Sequence, residues 1–358
     1  MDERIYDEVL AFIADPQGGS FDDLALGVFE FQFRVNEPYR RFCERRGKTP
    51  DTVTHWREIP AVPTSAFKEL DLVCGPPEKV FLTSGTTQGG GKRGRHGFPR
   101  LQLYHASLLP TFQDFLLPDG ARLRMVILMP PPQALPASSL VHMLETVRER
   151  FGAEGSGYFI GGEGLEFERL LAELDHASET GEPLFLLGTT FSFVHLFDRC
   201  LAQGLRFHLP PGSRVMDTGG SKGRSREITA PELHRLCREL LGIPDPFVVN
   251  EYGMTEMGSQ FYDNSLRNSI RGIQEPRFKV GPPWTRTLIM DPELLEEVQP
   301  GEIGLLRHFD LANAGSVMAI QTEDLGRRIG SGFEVLGRAK GVEARGCSLA
   351  LEELLSLR

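Results

Sequence analysis

The stretch Val248-Val249-Asn250-Glu251-Tyr252-Gly253-Met254-Thr255-Glu256-Met257-Gly258 decides how the rest of the chain reads. Its start is β-branched and apolar, which predicts a strand over 247–250. A polar loop follows, with an aromatic ring, a glycine, a hydroxyl and a carboxylate. Tyr252 suits stacking on a base or sugar, and Thr255 suits a phosphate oxygen. Glu256 suits Mg2+, a hard cation that takes oxygen ligands and shares them with phosphates. Taken alone, such a glutamate is more often a solvated loop carboxylate.

Upstream, strands and helices alternate. The apolar patterns predict strands at 80–83, 124–129, 183–187 and 214–217, and helices at 101–115, 140–150, 167–177, 191–203 and 231–241. That alternation implies an α/β domain with parallel pairing. The first sixty residues read as helices: Ile5, Val9, Phe12 and Ile13 share one face, as do Leu24, Val28, Phe31 and Val35. Ile59–Pro63 reads as an extended connector, because proline biases the preceding residue away from helix. From about Arg277 short strands dominate, at 285–290, 304–309, 316–321 and 334–336.

Three further strand ends carry polar chemistry. Thr83-Ser84-Gly85-Thr86-Thr87-Gln88-Gly89-Gly90-Gly91-Lys92 offers hydroxyls and close-approaching backbone N–H groups to phosphates, with charge from Lys92 and Arg93. A polar surface loop is the equal alternative. Gly219-Gly220 suits a turn over a planar ligand. The strand at 316–321 runs into an acidic turn, where Asp324 is placed to accept two ribose hydroxyls or to make an Asx-type turn. Two nucleotide and nucleophile fingerprints fail on context. Gly89-x-Gly91-x-x-Gly94 matches a dinucleotide-binding pattern, but the glycines and proline of 93–100 deny it the following helix. Gly219-x-Ser221-x-Gly223 matches a nucleophile elbow, but no helix is credible before Pro231.

The 358 residues carry a formal net charge of -10, with 40% hydrophobic and 25% charged residues. This is an ordinary globular composition, and no basic stripe suits nucleic acid. The acidic start Met1-Asp2-Glu3 is unlike a signal peptide, and no apolar run is long enough to insert in a membrane. Five scattered cysteines without a C-x-x-C pair suit a reducing cytoplasm.

Taken in order, these pieces resemble the adenylate-forming superfamily of acyl-CoA synthetases, adenylation domains and firefly-type luciferases. Residues 83–91 resemble its Ser/Thr/Gly phosphate loop. Asn250-x-Tyr252-Gly253-x-Thr255-Glu256 resembles its tyrosine-glycine-x-threonine-glutamate motif. Thr322–Asp324 resembles its ribose-binding segment, and Gly337-Arg338 the step before its hinge. Within it, the chain is most similar to the acyl-protein synthetase family of the fatty acid reductase complex of luminous bacteria. Ile59-Pro60-x-x-Pro63-x-x-x-Phe67-Lys68 and Arg345-Gly346-Cys347-Ser348-Leu349 carry that likeness.

The resemblance implies an α/β fold: a large N-terminal domain of mixed sheets flanked by helices, a β-rich C-terminal subregion, and a mobile C-terminal domain essentially absent. The expected divisions are a helical layer at 1–60, an adenylation core at 61–275, a β-rich subdomain of that core at 276–336, and a hinge-like tail with a short helix at 337–358. The implied substrates are ATP, with Mg2+, and a fatty or other carboxylic acid. The implied site places Ser84, Gly85, Thr86, Thr87 and Thr255 at phosphates, Glu256 at the metal, and Gly219, Gly220, Tyr252 and Gly253 around adenine. Asp324 and Arg338 fall at the ribose, and Gly188, Thr189, Phe191 and Phe193 along the acyl group. Cys347 is the implied acyl acceptor, passing the acyl group to a reductase or acyltransferase partner; a small buried hydrophobe is its ordinary alternative. A ligase using a free thiol such as CoA, and a non-catalytic nucleotide- or acyl-binding scaffold, are the rival readings.

Overall fold

The computed structural model describes residues 4–83, 92–219 and 228–339. Its chain divides into two compact units. One holds residues up to Thr111, 254–261 and those from Phe278 on, and the other holds 112–253 and 262–277.

In the second unit, five strands pair in the order Val248–Tyr252, Arg214–Thr218, Leu184–Thr189, Arg124–Leu128, Gly157–Tyr158, all parallel. The middle strands are almost wholly buried. Strands covered on both faces require continuous apolar runs, and Met125–Leu128 and Leu184–Leu187 supply them. Helices Ser139–Phe151, Thr190–Gln203 and Ala230–Leu241 start where Ser138, Thr189 and Thr229 cap a backbone N–H with their side-chain oxygens.

In the first unit, helices Arg4–Ala14, Phe21–Val35 and Glu37–Arg45 bury one apolar face each. The buried Gln32 side chain donates to the carbonyls of Asn313 and Ala314 (3.0 and 3.1 Å) and accepts from Met318 N–H, so helix Phe21–Val35 is stitched to the segment 313–318. Strands Thr285–Met290, Gly304–Asp310, Ala319–Ile329 and Gly332–Arg338 form an antiparallel meander. The proline connector joins it: Val62–Pro63 pairs in parallel with Ile320 and Gln321.

Two expectations change. The strand expected at 316–321 is Ala319–Ile329, so Asp324 lies inside a strand and not in an acidic turn. Pairing on both sides, with register shifts at Leu305/Arg307 and Leu325/Gly326, carries the charged segment through. The segment after the glycine-rich loop is the strand Arg95–Phe98, antiparallel to Lys79–Leu82. A strand there removes the dinucleotide-binding reading of Gly89–Gly94. Arg93 spends its guanidinium on the carbonyls of Thr83 and Leu82 (2.6 and 3.2 Å), closing that hairpin. Among the described residues no helix is long and apolar enough to cross a membrane.

An ion pair with one buried partner tests the second unit. Arg214 is 1% exposed, and its two Nη atoms donate to Asp119 at 2.7 and 3.0 Å. Burial raises the Asp119 pKa, but hydrogen bonds and charge from Arg214 outweigh it, and the net shift is downward. The pair's stabilisation is therefore present above the ordinary carboxylate range and is lost as acid protonates Asp119. Asp119→Ala leaves the guanidinium buried beside only two carbonyls, of Leu116 and Gly212. Losing a charged hydrogen-bond partner at a half-open site costs about 1–2 kcal/mol, and the expected result is a matching fall in the urea midpoint at neutral pH. An unchanged midpoint contradicts this account of the pair.

Candidate active site

In the second unit, three neighbouring parallel strands end level with one another. Thr189 is opposite Thr218, and Thr218 is opposite Glu251. The carboxyl ends of parallel strands are where α/β sheets bind ligands. Two glycines are forced here. A Cβ on Gly188 would come within 2.9 Å of the Leu128 Cβ, and Gly219 has φ +71°, which side-chain-bearing residues rarely adopt.

Behind these ends lies a buried polar network. Thr190 Oγ1 donates within reach of both Asp217 Oδ2 (2.8 Å) and the Gly219 carbonyl (2.6 Å). Asn250 Nδ2 donates to Asp217 Oδ2 at 3.0 Å, and Thr218 Oγ1 donates to Glu251. Asp263 accepts from Asn250 N–H and from Arg277. Tyr252 ends its strand partly exposed. Of the expected acyl-facing residues, Thr189 caps helix Thr190–Gln203. Phe193 is wholly buried beside Phe197, whereas Phe191 is partly exposed against His195 (4.4 Å between rings). Phe191 is thus the ring with surface to offer.

In the first unit, Thr255 and Glu256 stand on a loop held through its backbone. His96 Nδ1 lies 2.6 Å from the Thr255 carbonyl. A carbonyl only accepts, so Nδ1 carries the proton. Burial pushes the His96 pKa down to about 4, partly offset by that bond, so the ring is neutral at pH 7. Asn313 Nδ2 donates to the Glu256 carbonyl at 2.7 Å. Asp310 accepts from Gly258 N–H (2.9 Å), Ser259 N–H (2.8 Å) and Ser259 Oγ (2.7 Å).

Burial pushes the Glu256 pKa up to about 7. Its own backbone N–H, then Arg338 and Lys68, pull it down, and Asp324 pushes it up. These three charges come from separate parts of the sequence. Asp324 and Arg338 are cross-strand partners. Arg338 pairs with Glu323 at 3.1 Å, leaving Asp324 outside that ion pair. Lys68 ends the short 3-10 helix Thr64–Lys68, which follows the strand paired with Ile320 and Gln321. A carboxyl raised by desolvation and poised near neutrality gains strongly from a nearby cation. The residues therefore fit Mg2+ held by one carboxylate together with phosphates and water. Among the described residues no group of three or more His, Cys, Asp or Glu forms a cage for a metal.

Ser84, Gly85, Thr86, Thr87, Gly220 and Cys347 lie outside the described residues. Lys92, expected near phosphate, is exposed with its ammonium 3.7 Å from Glu69. Sequence reading missed Asp217, His96, Asn313, Asp310 and Glu323. A polar residue closing an apolar strand, as Asp217 closes Val215-Met216, was the signal available for the first of them.

The comparisons with known proteins bear on the fold and the family. Solved structures of 2-hydroxyisobutyryl-CoA ligase are similar. The ligase in the postadenylation state with 2-HIB-AMP has a TM-score of 0.63 and 17% identity, over 88% of this chain and 67% of that one. Its open conformation with 2-HIB-AMP and CoA has a TM-score of 0.61 and 18% identity, over 88% and 74%. The fold is therefore that of the adenylate-forming ligases. The family model "Acyl-protein synthetase, LuxE" matches residues 1–356, and the chain belongs to that family of ligases. Two curated relatives, each called "Long-chain-fatty-acid--luciferin-component ligase", span nearly the whole chain. The Vibrio harveyi protein is 22% identical over 371 residues, 98% of this chain and 93% of that protein. The Aliivibrio fischeri protein is 22% identical over 370 residues, 97% and 93%.

Thr190 belongs to the buried network. Its hydroxyl is consumed by Asp217 and the Gly219 carbonyl. Thr190→Val is expected to cost about 1–3 kcal/mol, the penalty for buried acceptors losing a donor, read as a lowered denaturation midpoint. A midpoint equal to that of the parent contradicts the network.

Proposed function

We propose that the protein activates a long-chain or other carboxylic acid with ATP and loads the acyl group onto its own Cys347 for a partner enzyme. A substrate carboxylate oxygen forms a bond to the α-phosphorus of ATP, and the bond from that phosphorus to pyrophosphate breaks. The Cys347 thiolate then attacks the acyl carbon, the C–S bond forms, and AMP leaves. An acyl reductase or acyltransferase in the cytoplasm takes the acyl group onward. In this reading Ser84, Thr86, Thr87 and Thr255 contact phosphates, and Gly85 gives their backbone room. Gly219, Gly220, Tyr252 and Gly253 frame the adenine, Asp324 accepts from the ribose, and Arg338 supports it. Gly188, Thr189 and Phe191 face the acyl group, with Phe193 packed behind them. Glu256 holds Mg2+, which when bound neutralises charge on phosphate oxygens.

The observation that carries this reading is the convergence of Lys68, Asp324 and Arg338 on the desolvated Glu256 carboxylate. Catalysis would rest on positioning and on charge stabilisation. The choice of thiol has separate support. Cys43, Cys74, Cys200 and Cys237 are all buried. Burial pushes the Cys43 and Cys74 thiols up to about 12, Cys200 to about 11, and Cys237 upward as well. Thiols held protonated out of water are poor nucleophiles.

Carboxylate-dependent exchange of labelled pyrophosphate into ATP tests the first half-reaction across a panel of fatty and aromatic acids. Glu256→Gln keeps shape and removes charge, and it is expected to lower exchange on the order of a hundredfold, as for other charge-stabilising groups. Exchange at the parent rate removes Glu256 from the chemistry. An absence of exchange with every acid in the parent protein overturns the function itself.

A further inference from the structure

The loop that carries Glu256 is fixed at two consecutive carbonyls. The Thr255 carbonyl belongs to the peptide plane before the Glu256 Cα, and the Glu256 carbonyl belongs to the plane after it. His96 Nδ1 holds the first at 2.6 Å, and Asn313 Nδ2 holds the second at 2.7 Å. Peptide units are planar, so holding both planes fixes φ and ψ at Glu256 and with them the direction in which its Cα–Cβ bond leaves the chain, the base from which the carboxylate is presented. The Asp310 carboxylate fixes the N–H groups of Gly258 and Ser259 just beyond.

The anchors do not move easily. His96 is 1% exposed, with ring centroids 5.5 Å from Phe67 and 4.3 Å from Phe98, and its strand residue pairs with Phe81. Asn313 is also buried, and the same Nδ2 reaches the Val317 carbonyl. His96 carries a cost that core packing does not require. Its Nε2 is buried and has no hydrogen-bond partner among the described residues. A buried unpaired acceptor is unfavourable, and a phenylalanine among these rings would avoid it. A locally unfavourable choice beside a site of chemistry points to function.

We propose that His96, acting with Asn313, is a positioning residue that fixes the direction of the Glu256 carboxylate for adenylate formation. The inference rests on the reading of Glu256 given above and adds the residues that aim it. Neither imidazole nor carboxamide touches substrate in this role. Both act through the backbone of the loop.

A double-mutant cycle on pyrophosphate exchange tests it. His96→Phe keeps the ring and removes the donor. It is expected to lower the exchange rate at saturating ATP by about tenfold, as when an interaction used only in the transition state is lost. His96→Asn retains a donor near the Nδ1 position and is expected to recover to within about threefold of the parent, the residual being a longer hydrogen bond. In the Glu256→Gln background, His96→Phe is expected to cost less than about twofold, because residues acting as one unit are not additive. Its thermal midpoint is expected to equal or exceed that of the parent.

Full additivity in the cycle overturns the proposal, as does a His96→Asn variant no better than His96→Phe. Unimpaired exchange in Glu256→Gln with His96 intact is a separate outcome. It brings down the reading of Glu256 first and this inference with it. If His96→Phe does not fold, Asn313→Ala carries the same cycle with the same expected non-additivity, and additivity there overturns the proposal equally.

Discussion

In the proposed function the Glu256 carboxylate has to be partly out of water, near cations, and yet not collapsed onto either of them. The structure meets these demands by separate means. Burial raises the pKa to about 7, and the nearby Arg338 and Lys68 only partly restore the charged form. Arg338 is occupied by Glu323 at 3.1 Å. Of the groups that favour the charged form, its own backbone N–H counts most. A side chain so placed has little of its own to hold it, so its direction falls to the backbone. This is why the buried partners of residues 255–259 are side chains reaching main-chain atoms: His96, Asn313 and Asp310. Asp310 shows the cost of the arrangement. Burial pushes its pKa up to about 6 even though Ser259 and three backbone N–H groups stabilise its charge.

The second unit reaches a stable strand end by different physics. Its parallel strands are buried on both faces, so polar atoms at their ends must find partners inside. Thr190 and Asn250 both donate to Asp217 Oδ2 across three adjacent strand ends, and Thr218 donates to Glu251. Arg277 ties the far side by donating to Asp263 and to the carbonyls of Val248 and Asp245. The turn residues at these strand ends are thereby set on a hydrogen-bonded network, and Tyr252 and Phe191 are partly exposed.

The legible parts of the sequence were those where burial writes continuously into composition. Leu184–Leu187 and Met125–Leu128 read as strands because both faces are apolar, and the helices read from their apolar periodicity; the capping roles of Ser138, Thr189 and Thr229 come from the structure. The strand Ala319–Ile329 was cut short because Glu323, Asp324, Arg327 and Arg328 hide its period, and only pairing on both sides reveals its length. Arg95–Phe98 has the composition of a loop and becomes a strand through its pairing with Lys79–Leu82. Resemblance pointed to Thr255, Glu256, Asp324 and Arg338, which lie in recognisable local motifs. His96 and Asn313 have no such motif. Each acts on a main-chain atom more than fifty residues away, at separations of 159 and 57, and side-chain type gives no sign of that.

The central claim is that one chain runs two successive half-reactions, of which only the second needs a thiol. Cys347→Ser separates them. The protein and its variant are incubated with ATP, Mg2+ and a labelled fatty acid, then assayed for pyrophosphate exchange and weighed intact before and after hydroxylamine. The account requires exchange at close to the parent rate in Cys347→Ser, with the hydroxylamine-labile acyl mass present in the parent and missing from the variant, because a serine hydroxyl is scarcely ionised at neutral pH. Labile acylation that persists in Cys347→Ser, or that maps to Cys43, Cys74, Cys200 or Cys237, would contradict it.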